Sequence, residues 1–169
     1  MNKPLDLAGL GIGPFNLSIA ALLREVPQLR SAFFDRKPQF NWHPGMMLPG
    51  VRLQTSYLKD LVTGVAPWSP NSFLNYLVQH GRFYTFMNAD LPAVSRAEFA
   101  DYMAWVAGGL DNLHFSHNIR HVNFDGDLFH IHFRENANTV QARNLCLGTG
   151  QTPAIPESCR PWRGDDCFH

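Results

Sequence analysis

The chemistry-bearing pattern nearest the start of the chain is Gly11-Ile12-Gly13-Pro14-Phe15-Asn16, a G-x-G-x-x-N turn between an apolar run and a helix-like segment. Glycine at 11 permits a tight turn, and glycine at 13 lets a pyrophosphate approach backbone N–H groups at the positive end of the following helix. The usual dinucleotide fingerprint carries a third glycine where this chain has Asn16. Taken alone, such a turn fits a purely structural role equally well, because glycine turns after strands are common. Asp35 changes the balance: it follows at about the 20-residue separation expected for the acid that accepts hydrogen bonds from an adenosine ribose. By itself it reads as a solvated strand-end carboxylate beside Arg36 and Lys37. Together, turn and acid point to nucleotide binding, and a carboxylate that repels a 2′-phosphate favours FAD or NAD over NADP here.

Other candidates have plainer readings. Trp42 and His43 in an unrelated loop are more often packing residues than cofactor contacts. Lys59 beside Asp60 is ordinarily a solvated pair worth about 0–1 kcal/mol. His130 and His132 share one face of a strand, but no third ligand stands at convincing spacing, so no metal site is assigned. Cys146 reads as a small buried residue. Cys146, Cys159 and Cys167 are odd in number and lack C-x-x-C spacing, which fits neither a disulfide framework nor structural zinc and suits a reducing cytoplasm.

The elements that must position these residues follow from periodicity. Leu5–Leu10 reads as a buried strand, residues 15–24 as a helix with Ala20 and Ala21 on one side, and residues 31–35 as a second strand, which completes a βαβ unit. Residues 38–70, rich in proline and glycine, read as a long functional loop with short strands. Asn71 or Ser72 caps a predicted helix to His80, and Ser95-Arg96-Ala97-Glu98 is a capping box before a helix ending at Gly108-Gly109. Residues 119–124 and 129–133 form a predicted hairpin about Asp125-Gly126, and a last strand over 141–147 runs into Gly148-Thr149-Gly150.

Fourteen Lys plus Arg against fourteen Asp plus Glu give zero net charge, so no basic face suits a nucleic-acid partner. The apolar share of 45% with 17% charged residues excludes intrinsic disorder. No apolar run reaches the roughly 18 residues of a membrane span, and Asp6, Pro14 and Asn16 interrupt the one stretch resembling a signal peptide. The expected location is the cytoplasm.

Several stretches match a known family: Gly-Ile-Gly-Pro-Phe-Asn-Leu at 11–17, Trp-His-Pro-Gly-Met at 42–46, and Gln54-Thr55 followed by Leu-Lys-Asp-Leu-Val at 58–62. Ser-Phe-Leu-Asn-Tyr-Leu at 72–77, Ser-Arg-Ala-Glu-Phe at 95–99, Asn-Leu-Cys-Leu-Gly-Thr-Gly at 144–150 and Cys-Phe-His at 167–169 match as well. The chain resembles the N-hydroxylating flavin monooxygenases of siderophore synthesis, the lysine/ornithine N-hydroxylases, and looks most like their lysine-specific branch. The resemblance implies an α/β fold: an FAD-binding Rossmann-like domain with parallel sheet, flanking helices and an antiparallel β-meander.

It also implies FAD- and NADPH-dependent hydroxylation of a small amine by oxygen, with lysine favoured. FAD would lie on Gly11, Gly13, Pro14, Phe15 and Asn16, then on Asp35, Arg36, Lys37, Phe40, Trp42 and His43. Gln54 would lie beside the flavin ring and Ile119 near adenine, while Lys59 would hold the substrate carboxylate. No side-chain catalytic acid or base is implied, because the cofactor carries the difficult chemistry. Residues 1–150 would form the FAD-binding domain and 151–169 a connector toward an NADPH-binding domain absent from this sequence. The alternatives are an ornithine or diamine hydroxylase, or a non-enzymatic truncated flavin-binding fragment. A generic NAD-dependent dehydrogenase leaves the 42–46 and 58–62 matches unexplained.

Overall fold

The computed structural model describes residues 3–91, 93–135, 138–151 and 154–162. The 167–169 match and Cys167 lie outside the described residues. Four strands run parallel: β1 (Leu5–Leu10), β2 (Ser31–Phe34), the two-residue β3 (Leu113–His114) and the distal part of β6 (Thr139–Leu147). Between β3 and β6 come β4 (Ile119–Phe124) and β5 (Phe129–Phe133), both antiparallel, and the sheet order is β3-β2-β1-β6-β5-β4. The expected parallel sheet and β-meander are both present, because β6 pairs with β5 at its start and with β1 beyond Ala142.

Helix α1 (Pro14–Leu23) connects β1 to β2 and packs Ala20 with Ile12 and Phe33 on one sheet face. Its other buried apolar residues, Leu17 and Ala21, join the main core. That core is completed by α2 (Phe73–Gln79), α3 (Phe83–Asn88) and α4 (Arg96–Gly108), through Phe73, Leu77, Phe86, Phe99, Tyr102 and Met103. On the opposite sheet face the meander folds over Ala8, Leu10, Ala32 and Phe34, burying Ile131 and Phe133 against them. Phe34 meets Phe133 with ring centroids 5.1 Å apart.

Local signals explain where the helices start. Ser72 Oγ accepts from Asn75 N–H, and Ser95 Oγ from Glu98 N–H, so each serine satisfies one of the otherwise unpaired first-turn donors. The Glu98 carboxylate turns to the Arg82 guanidinium in a two-point pair at 2.9 and 2.8 Å.

Three local expectations differ from the structure. Helix α3 fills a stretch that carries no cap signal. The short strands expected within 38–70 reduce to one bridge, Arg52 with Ser95, because this loop makes mostly i to i+3 turns. The hairpin loop spans four residues rather than two: Asp125 Oδ1 accepts from Asp127 and Leu128 N–H, and only Gly126 takes a positive φ. Among the described residues, no helix is long and apolar enough to cross a membrane.

Candidate dinucleotide-binding site

Three parallel strand ends, β2, β1 and β6, meet at the glycine turn. Gly11 N–H donates to Phe34 O and Gly148 N–H to Leu10 O, each at 2.8 Å, which locks the turn between its neighbours. Gly11 has φ 87, and a Cβ there would lie 2.5 Å from Gly148 O, so both conformation and space demand glycine. Gly13 is the N-cap of α1 and makes no side-chain cap, which leaves the first-turn N–H groups free of side-chain acceptors. A Cβ on Gly13 would meet nothing nearer than Gly148 O at 4.0 Å, so the approach over it is open. Phe15, 63% exposed, stands beside this opening on the first turn of α1.

Asp35 is only 8% exposed. Its Oδ2 accepts from Ile12 N–H at 2.7 Å and its Oδ1 from Lys37 N–H at 2.9 Å, with the Lys37 ammonium 3.5 Å from Oδ2. The acid therefore fixes the glycine turn as well as standing at the end of β2. A carboxylate has about four acceptor positions, so capacity remains for ribose hydroxyls.

Asn16, in place of the third fingerprint glycine, is fully buried. Its Nδ2 donates to Gly11 O at 2.7 Å and lies 3.3 and 3.4 Å from the carbonyls of Leu10 and Cys146, so one amide ties together the ends of β1 and β6. Its Oδ1 has no partner. An uncapped helix start and an open glycine turn at the carboxyl edge of a parallel sheet fit a dinucleotide pyrophosphate, whose oxygens only accept.

The remaining sequence-predicted residues spread outward from this turn. Arg36 is exposed, while Lys37 Nζ donates to Asn41 O at 2.9 Å and lies 5.9 Å above the Phe40 ring. Trp42 stacks on His43, with ring centroids 5.3 Å apart. Ile119 opens β4, two residues after His117, whose N–H donates to Asp35 O, so the start of the meander lies near the end of β2. Gln54 and Lys59 are exposed on the long loop. His130 is taken by Asp125 at 2.6 Å and His132 stacks on His121. Among the described residues, no group of three or more potential ligands could hold a metal, and Cys146 and Cys159 are free thiols.

Two supporting residues lie outside the candidate set that the sequence offers. Asp60 accepts from Val62 and Thr63 N–H, from Thr63 Oγ1 and from Phe73 N–H, so it clamps the turn after Lys59 to the start of α2. Besides its place in the Leu-Lys-Asp-Leu-Val match at 58–62, the Asp-x-x-Thr spacing at 60–63 is its sequence signal. Tyr102 donates to Asn71 O and accepts from Leu61 N–H; burial pushes its hydroxyl pKa far upward, so it stays protonated. Only helical periodicity marks that tyrosine in the sequence.

A βαβ unit with this turn, followed by an antiparallel meander, defines a dinucleotide-binding α/β domain. Residues 3–169 match the family described as L-lysine 6-monooxygenase/L-ornithine 5-monooxygenase, and the chain belongs to that family. It is 47% identical to L-lysine N6-monooxygenase of Escherichia coli over the whole of this chain and 40% of that protein. It is 37% identical to a putrescine N-hydroxylase of Acinetobacter baumannii, over 92% of this chain and 36% of the relative. Among solved structures, an FAD-bound cadaverine monooxygenase of the desferrioxamine pathway from Erwinia amylovora superposes with TM-score 0.91 at 36% identity. That match covers 96% of this chain and 39% of the other. The chain thus spans about 40% of the length of the relatives it matches.

Proposed function

We propose that this chain forms the FAD-binding part of a flavin-dependent monooxygenase that N-hydroxylates the side-chain amine of L-lysine, with NADPH as reductant, in hydroxamate siderophore biosynthesis. The observation that carries the substrate is the 47% identity, along the whole chain, to the lysine enzyme; the putrescine and ornithine relatives stand at 37–39%. Bound FAD would supply electron transfer and oxygen activation.

The chain's own residues bind and position. Gly11, Gly13 and the first turn of α1 hold the pyrophosphate, and Asp35 accepts from the ribose. Phe40, Trp42 and His43 with Arg36 and Lys37 flank the dinucleotide, Ile119 lies toward the adenine, and Gln54 stands beside the flavin ring. Lys59, on the turn clamped by Asp60, pairs with the α-carboxylate of the amine substrate and repels the second ammonium of a diamine. Residues 1–150 act as the cofactor domain and 151–169 as the connector to an NADPH-binding domain, in a cytoplasmic enzyme.

The test is Lys59→Ala in a full-length family member carrying this segment. The Michaelis constant for lysine should rise far more than that for cadaverine. Equal effects on the two substrates would remove Lys59 from the carboxylate role and favour a diamine substrate.

A further inference from the structure

Arg96 begins α4, far along the chain from the glycine turn, yet its guanidinium lies against the 42–43 pair. It sits 4.1 Å above the Trp42 ring, and its Nη2 is 3.3 Å from His43 Nδ1. Its backbone N–H donates to Val51 O at 3.0 Å, so the same residue also anchors the returning end of that loop. The guanidinium Nε is buried without an acceptor, and among the described residues the contacts of this guanidinium are with Trp42 and His43 rather than with a carboxylate. His43 itself takes φ 45, a left-handed conformation that persists in a non-glycine residue only where surrounding contacts enforce it.

Guanidinium N–H groups donate and never accept. His43 Nδ1 is therefore the acceptor, and the imidazole proton belongs on Nε2, at the other side of the ring. We propose that Arg96 is a cofactor-positioning residue: by stacking on Trp42 and donating to His43 Nδ1, it sets the orientation of both rings and fixes His43 as an Nε2–H donor toward the dinucleotide. This rests on the reading of residues 42 and 43 as FAD contacts. Arginine suits the task and lysine does not, because stacking and a directed N–H require a planar fork.

The experiment uses the 169-residue chain labelled with 15N, as wild type, Arg96→Ala, Arg96→Lys and, as a control, Arg82→Ala, whose guanidinium precedes α3 and pairs with Glu98 of α4. Imidazole 15N shifts at alkaline pH report the His43 tautomer without any cofactor. Wild type and Arg82→Ala should show Nε2 protonated and Nδ1 as acceptor, whereas Arg96→Ala should mix the two tautomers and Arg96→Lys should restore the first only in part. FAD titration by fluorescence should then show at least a tenfold weaker dissociation constant for Arg96→Ala, with Arg82→Ala unchanged. Identical His43 shifts in wild type and Arg96→Ala, or equal FAD affinity in those two, overturn the inference. Failure of wild type to bind FAD, with the Arg96-dependent tautomer intact, overturns the flavin reading and the dinucleotide half of this proposal while leaving the ring-positioning contact.

Discussion

The amide of Asn16 occupies the space that a side chain at Gly148 would need: a Cβ built on Gly148 would lie 2.6 Å from Asn16 Nδ2 and 2.7 Å from Cγ. The amide cannot retreat, because Gly11 O holds it at 2.7 Å with two further carbonyls close by. Gly148→Ala should therefore destabilise by about 1–3 kcal/mol through overpacking. Asn16→Ala should cost ~1–3 kcal/mol by removing the close donor to Gly11 O and opening a void at a fully buried position. The double variant should be less destabilised than the sum, since removing the amide makes room for the new methyl. Urea unfolding of the four proteins measures this, and strict additivity would show that the two positions are not coupled.

Asp35 is expected to serve two partners, the turn it holds and the ribose proposed for it. Asp35→Asn retains an oxygen for Ile12 N–H but loses the charge and the acceptor for Lys37 N–H, whereas Asp35→Ala loses all three. A charge-assisted hydrogen bond is worth roughly 1.5–3 kcal/mol, so Asp35→Asn should weaken FAD binding about tenfold or more. Asp35→Ala should weaken it further and also lower the unfolding temperature. Fluorescence titration paired with thermal melts separates the effects; full FAD affinity in Asp35→Asn would remove the ribose role.

The βαβ unit and its turn were legible because each signal there is local: a glycine with positive φ, an acid at the next strand end, and small residues on the covering helix. The meander was legible as a period of two, and the helix starts as Ser72 and Ser95. What could not be read depends on partners distant in sequence. Gly148 is required by an asparagine 132 residues earlier, and it looked like the end of a strand. Arg96 looked like one letter of a capping box, while its guanidinium answers to Trp42 and His43. Helix α3 has no side-chain cap and is held by Phe86 in the main core, so tertiary burial decides it and propensity does not.

Asp60 accepts four hydrogen bonds, three from its own turn and one from Phe73 N–H at the start of α2. Asp60→Ala would strand these donors, part-buried as they are, and should cost ~1–3 kcal/mol. Thr63→Val removes only the hydroxyl donor, leaves three bonds, and should cost ~1 kcal/mol or less. Hydrogen exchange should then localise the loss: faster exchange at the Val62, Thr63 and Phe73 amides in Asp60→Ala, with β1 and β6 unaffected. Uniform acceleration across the sheet would mean that the turn is not a separate unit.

Acid should weaken the fold through His114. This imidazole stacks on Phe34 with ring centroids 5.2 Å apart, and burial, reinforced by the nearby His117, lowers its pKa from the ordinary 6.5. Above 6.5 the ring is neutral whether the chain is folded or unfolded, so the stability is fully present. As pH falls below 6.5 the unfolded chain takes up the proton first, and stability declines until the pH passes the lowered folded value. His114→Phe keeps the stacked ring and removes the titration. The loss of melting temperature between about pH 7.5 and about pH 5.5 should be smaller in His114→Phe than in wild type, though not zero, because His132 is also shifted downward. An equal loss in both proteins would show that protonation of His114 is not what the folded state resists.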